Sequence, residues 1–174
     1  MILISGVIGT GARESSLNGG RGKQTNTERA EGTDWQLDFA LDCSSRSIHG
    51  RDRVLIHDGR ITALSTPVGD RSGSWLEIDW SQQGRLVFTT DRLGTIPIFW
   101  GLRDGKAFFA SRLTDMVRFG FRSPDALGMM QMVMLNQATG LRTVLEGVSI
   151  LPCASTAARS PQGVGAASRY WSPS

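Results

Sequence analysis

The sequence predicts a strand-dominated α+β domain, built from layered, mostly antiparallel sheets with flanking helices. Three observations carry this. Short runs rich in β-branched and aromatic residues recur from the first residues to position 110. Several of them stand in pairs across turn residues, such as Asp58-Gly59 and Leu102-Arg103-Asp104-Gly105. Helical spacing of apolar residues is confined to the stretch after Arg112. Several hairpins need both faces covered and few helices are on offer, so sheets must cover each other.

The elements follow in order. Residues 2–8 (Ile-Leu-Ile-Ser-Gly-Val-Ile) are apolar and β-branched, which suits a central strand. Residues 11–33 are rich in Gly, Ser, Thr and Arg, with Leu17 as the one large apolar side chain, and predict a mobile loop. Trp35 to Leu41 alternates apolar and polar, as a half-buried strand does. Val54 to Leu64 predicts a hairpin around Asp58-Gly59, a pair that accepts the positive φ of a type I′ turn. Trp75 to Thr90 predicts a second hairpin across Ser81 to Gly84, and Ile96 to Ala110 a third. Pro97 marks an edge, a bulge or a local break. Leu113 to Phe119 predicts a short helix, and Ala126 to Asn136 a longer one with Ser123 as N-cap and Pro124 at its first position. Thr143 to Leu151 returns to strand, and 153–174 is a small-residue C-terminal connection.

A chain of 174 residues fits one domain spanning 1–174. Its net charge of +3 comes from 17 Arg and 2 Lys against 16 acids, scattered without a block, so no nucleic-acid partner is implied. No apolar run reaches the roughly 20 residues that cross a bilayer, and 1–8 lacks the basic flank of a signal sequence; no membrane partner and a cytoplasmic location are expected. Cys43 and Cys153 form no CxxC pair, and two Cys with two His give no zinc spacing, so no metal is expected.

Four segments share their pattern with one known family. The first is Asp91-Arg92-Leu93-Gly94-Thr95-Ile96-Pro97-Ile98; the second is Phe108-Phe109-Ala110-Ser111; the third runs from Thr143 through Gly147-Val148 to Leu151-Pro152; the fourth is Arg169-Tyr170-Trp171. In this order they resemble the N-terminal class II glutamine amidotransferase domain of the asparagine synthetase family. The resemblance implies an Ntn-hydrolase-like αββα sandwich with two mostly antiparallel sheets. Asp91, Arg92, Gly94 and Pro97 form its structural motif. Cys153 and Ala154 stand where the family carries Pro and Gly, and Arg112 where it carries Glu. Ile4-Ser5-Gly6-Val7-Ile8-Gly9 resembles the first strand, which aligns Ile2 with the nucleophilic cysteine.

That last match decides the expected chemistry. The family's cysteine thiolate attacks the glutamine amide while its own α-amino group, with a pKa near ~8, acts as base. Ile2 supplies no nucleophile, so no catalytic residue is expected. The glutamine-binding turn survives only as a vestige, Asp58-Gly59-Arg60, in which Arg60 inverts the charge of the family's Glu; Gly50-Arg51-Asp52 is a poor match to its Arg-Gly-Pro-Asp loop. The pattern is closest to cysteine-less members such as β-lactam synthetases and lasso-peptide macrocyclases. In these a C-terminal ATP-pyrophosphatase-type synthetase domain activates a carboxylate with ATP and Mg2+, and an amine of the substrate attacks it. The chain carries no Ser-Gly-Gly-x-Asp-Ser loop, so no cofactor is expected within it. It reads as a silent glutaminase-like scaffold for a ligase domain in cis or in trans.

Other side chains have plainer readings. Ser5 is a strand serine, since a hydroxyl needs an identified base to become a nucleophile. Cys43, His49 and His57 fall in a connection and a hairpin rather than in a catalytic set. Met129, Met130, Met132 and Met134 predict core or domain-interface packing, and the five Trp mostly core anchors. Two rival functions follow from the same residues: a residual amidohydrolase using a thiol such as Cys43, and a module that binds a peptide substrate along the edge Arg60 to Leu64.

Overall fold

A computed structural model of the chain describes residues 3–8, 26–32, 35–41, 53–57, 60–63, 73–80, 86–160, 163–164 and 167–172. Ile2, Asp58, Gly59, Cys43 and His49 lie outside them, as does most of the predicted loop 11–33.

Two antiparallel sheets form the body. The first has the order β10-β8-β9-β1-β3-β2, with β1 (Leu3–Ile8), β2 (Asn26–Gly32), β3 (Trp35–Leu41), β8 (Phe99–Arg103), β9 (Lys106–Ala110) and β10 (Val148–Ile150). The second has the order β12-β11-β7-β6-β4-β5, with β4 (Arg53–His57), β5 (Arg60–Ala63), β6 (Trp75–Asp79), β7 (Leu86–Thr90), β11 (Ser155–Ser160) and β12 (Gly163–Val164); β13 (Ser168–Arg169) also pairs with β11. β1 sits between β3 and β9, its side chains buried on both faces from Ile4 to Ile8, which is why it reads as a continuous apolar run.

The alternation of side chains divides two cores. Ile4, Ile8 and Phe109 point from the first sheet onto Leu76, Ile78, Leu86 and Phe88 of the second. The Phe88 and Phe109 rings meet across the layers at 5.0 Å between centroids. Val7, Phe108 and Ala110 face the other way, under Met116, Phe119 and Phe121 of α1 (Leu113–Arg118) and the turn after it. Among the described residues the layers are thus one short helix and two sheets, with no helix over the outer face of the second sheet. The second helix, α2 (Ala126–Leu135), buries only Gly128 among its residues.

Several predicted boundaries shift. β2 occupies the end of the segment expected to be loop; Asn26 to Gly32 has no apolar alternation, and its strand state comes from pairing along the whole of β3. β11 likewise lies within the predicted C-terminal connection, paired with β7 from Arg159↔Leu86 to Thr156↔Thr89. The third hairpin begins at Phe99, so Ile96 to Ile98 is a local break rather than strand. Asp104 and Gly105 make its turn with φ of 51° and 71°. Only Val148 to Ile150 of the segment 143–151 is strand; before it the Thr143 hydroxyl donates to Val148 O at 2.9 Å and holds a turn. The N-cap of α2 is Asp125, not Ser123. Asp125 N donates to Val144 O and Glu146 N to Ser123 O, both at 2.9 Å, and these bonds keep 123–125 extended. The methionines of α2 are exposed, so core packing does not account for them.

Candidate functional site

The turn after β7 gathers the segments that set this sequence apart. β7 ends at Thr90, and the next residue, Asp91, is 1% exposed. Its Oδ2 accepts the Trp75 N–H at 3.0 Å, and Oδ1 accepts Leu93 N at 2.8 Å and Thr95 N at 3.2 Å. The Thr95 hydroxyl donates to Oδ2 as well. An aspartate followed by a tight turn can bond backbone N–H groups two and four residues on, which is why Asp suits this place. Burial alone pushes the Asp91 carboxyl up. The hydrogen bonds from the Thr95 hydroxyl and from Trp75, Thr95 and Leu93 outweigh it and hold the carboxyl below its ordinary 3.8.

The Asp91 backbone makes a second set of ties. Its N–H donates to Trp75 O at 3.1 Å, while its carbonyl accepts Gly94 N at 3.2 Å and Ala154 N at 2.8 Å. Gly94 has φ of +64°, which closes the turn, and a Cβ on it would press the Cys153 Cβ at 3.1 Å. Leu151 N donates to Ile98 O at 2.8 Å. The Thr90 hydroxyl donates to Pro152 O at 2.8 Å, and Ser155 Oγ donates to the same carbonyl at 2.6 Å. The chain end closes the cluster: Tyr170 OH donates to Thr90 O at 2.7 Å, and Tyr170 N to Ala154 O at 2.9 Å. The Arg92 guanidinium lies 5.4 Å over the Trp171 ring, and Tyr170 stacks on Trp75 at 6.4 Å.

The motif residues Asp91, Arg92 and Gly94 therefore share one cluster with Leu151, Pro152, Ala154 and Tyr170. Pro97 lies in the break between the turn and β8. The second segment is not bonded to this cluster: in the neighbouring sheet Ser111 N donates to Ile4 O at 2.8 Å and Ser111 Oγ accepts Ile4 N at 3.0 Å. The groups of the cluster consume each other's hydrogen bonds, so it is suited to holding chain segments together.

The remaining candidates stand apart. Ser5 is fully buried, in register with Asp38 of β3, so its hydroxyl offers no face to a substrate. Arg60 opens β5 in register with His57, while its neighbours Asp58 and Gly59 fall outside the described residues. Cys153 is a free, half-buried thiol beside the Asp91 turn. Among the described residues no three His, Cys, Asp or Glu side chains group as a metal site, and no helix is long and apolar enough to cross a membrane.

Sequence reasoning missed two features. Ala154 has φ of +51°, a left-handed conformation at the place where the resembling family carries Gly. The exposed surface of α2 was the other. Val133 is 82% and Met134 73% exposed, and no charged residue occurs from Ala126 to Leu141. The Met-rich composition was the available signal. No protein-family model and no curated protein matches the chain.

Proposed function

We propose that the chain is a catalytically silent glutamine-amidotransferase-like domain that serves as scaffold for an asparagine-synthetase-type, ATP-dependent amide ligase domain. In this reading the two-sheet body is an Ntn-hydrolase-like sandwich from which the nucleophile has been lost, with Ile2 in its place. ATP and Mg2+ belong to the ligase domain, which activates the carboxylate; this chain supplies a surface and a fixed attachment.

The observation that carries the reading is the convergence on Asp91. Three of the four segments on which the resemblance rests, up to 80 residues apart, join through hydrogen bonds to Thr90 and Asp91. The uncharged, apolar surface of α2 supports it further, because exposed apolar patches of this kind are commonly covered by another domain. The test is complex formation with the ATP-pyrophosphatase-type domain encoded beside or after this chain. The two should co-elute, and Met134→Glu or Val133→Glu should weaken the complex at least about tenfold by placing an unpaired charge in the interface. Co-elution unaffected by both variants would remove α2 from the interface, and no complex at all would remove the scaffold.

One observation favours a second reading. β5 ends the order of its sheet among the described strands, so its outer edge is a place where an extended peptide substrate could add. Saturable binding of such a peptide to the isolated chain would support it.

A further inference from the structure

Basic residues gather around α1 and the β8–β9 hairpin. Arg103 and Lys106 flank the β8–β9 turn, Arg112 caps the start of α1, and Arg118 and Arg122 stand at and after its end, against two acids, Asp104 and Asp115. Asp115 is fully buried and accepts from both Arg112 (3.1 Å) and Arg118 (3.0 Å), so one carboxylate serves two guanidiniums. Arg103 pairs with the exposed Asp104 at 3.3 Å. Arg122 makes no ion pair among the described residues. Positive charge is in surplus.

The local backbone is built to hold Arg103 in place. α1 ends in a turn in which Gly120 N donates to Val117 O at 3.0 Å and Phe121 N to Met116 O at 3.1 Å. The Phe119 carbonyl left over by that turn accepts Arg103 Nη1 at 3.1 Å. Gly120 has φ of +94°, and a Cβ on it would overlap Arg103 Nη1. The conformation favours glycine, and a Cβ there would push the Arg103 guanidinium aside.

Arg103, Arg118 and Arg122 all line one cavity of about 440 Å³, with Asp104 its one acid among the described residues and Phe108 and Phe119 in its wall. We propose that this cavity binds the phosphoryl group of a small phosphomonoester. Three guanidiniums match the three terminal oxygens of a phosphate dianion, whereas a carboxylate engages one fork. The volume falls in the range of small-molecule pockets, about 300–1,000 Å³, and leaves room for an organic body beside the phosphate. This assignment is independent of the ligase reading.

Calorimetric titration of the whole chain at low salt, with phenyl phosphate and separately with inorganic phosphate, tests it. Both should bind saturably at one site, phenyl phosphate more tightly. Arg122→Gln, at an exposed position, should weaken both by about tenfold or more through the loss of charge-assisted hydrogen bonds, without lowering the Tm. Arg142→Gln, whose guanidinium pairs with Asp125 elsewhere, should leave the affinity unchanged. Equal affinity for the two ligands would overturn the ester. No saturable binding, or wild-type affinity in Arg122→Gln, would overturn the site.

Discussion

Asp91 concentrates more of the architecture in one side chain than any other described residue of the turn. Its two carboxylate oxygens meet N–H groups of Trp75, Leu93 and Thr95. Asp91→Asn would replace one oxygen by an amide that faces donors with a donor. Hydrogen bonds to charged groups contribute about 1.5–3 kcal/mol each, and an orphaned buried donor costs a further ~1–3. A loss of about 2–4 kcal/mol is expected in denaturant unfolding. The pH dependence has a definite sign. The folded-state carboxyl titrates below 3.8, so the unfolded chain takes up its proton first as pH falls. The contribution is complete above about pH 5 and is lost as pH drops through the folded-state value. Asp91→Asn should flatten that acid limb.

Ala154 tests whether a glycine is needed at this turn, given its φ of +51°. Three terms compete in Ala154→Gly. Relief of the left-handed conformation is favourable by about 1–2 kcal/mol. Loss of a buried methyl costs about 0.8 kcal/mol, and glycine's backbone entropy a further ~0.5–1 kcal/mol. They nearly cancel, so a change within about 1 kcal/mol is expected in the same unfolding measurement. Ala154→Val adds a branched side chain at positive φ in a buried place and should cost more than about 2 kcal/mol.

At the scale of elements, α2 is held by its beginning rather than by a face. The Asp125 side chain accepts Gly128 N at 2.6 Å, and that bond, followed by the nearby Arg142, keeps its carboxyl below the ordinary 3.8 despite the opposing effect of desolvation. Gly128 lies against the Thr143 carbonyl so closely that a Cβ would overlap it. Gly128→Ala should therefore cost about 1–3 kcal/mol, against the gain it would bring in an ordinary helix, and should lower protection of α2 amides in hydrogen exchange. Protection retained in α2 would show that the helix has another anchor.

The elements also show what a sequence discloses. β6 with β7, β8 with β9, and β4 with β5 are neighbours separated by only a few residues of sequence, and their apolar alternation and the residues between them are local signals. β2 and β11 carry no such signal. Asn-Thr-Glu-Arg-Ala-Glu-Gly and Ser-Thr-Ala-Ala-Arg-Ser become strands through partners, β3 and β7, which a local pattern does not name. The start of α2 was misplaced for a related reason. Ser123-Pro124 has good capping chemistry, but bonds to residues 144 and 146 override it. In the candidate site, Asp91, Arg92 and Gly94 are legible as a motif, whereas their meeting with Ala154 and Tyr170 depends on the whole fold.

Across the whole molecule the two sheets depend on the layer between them. Phe88 and Phe109 are fully buried on opposite sheets and in ring contact. Truncating either to Ala should cost about 3–5 kcal/mol in a single cooperative transition. Leu93→Ala, at an exposed turn position, should stay within about 0.5 kcal/mol. No residue of α2 belongs to either core cluster, so its exposed face takes no part in holding the sheets together.

The proposed silence of the domain makes one claim that a mass spectrum and an amino-acid assay can read together. The folded chain, incubated with saturating glutamine, should release no glutamate above the buffer rate, and a thiol-reactive glutamine analogue should add no mass to it. Glutamate released at a rate that Cys43→Ala abolishes, or a stoichiometric covalent adduct on the native chain, would contradict the account.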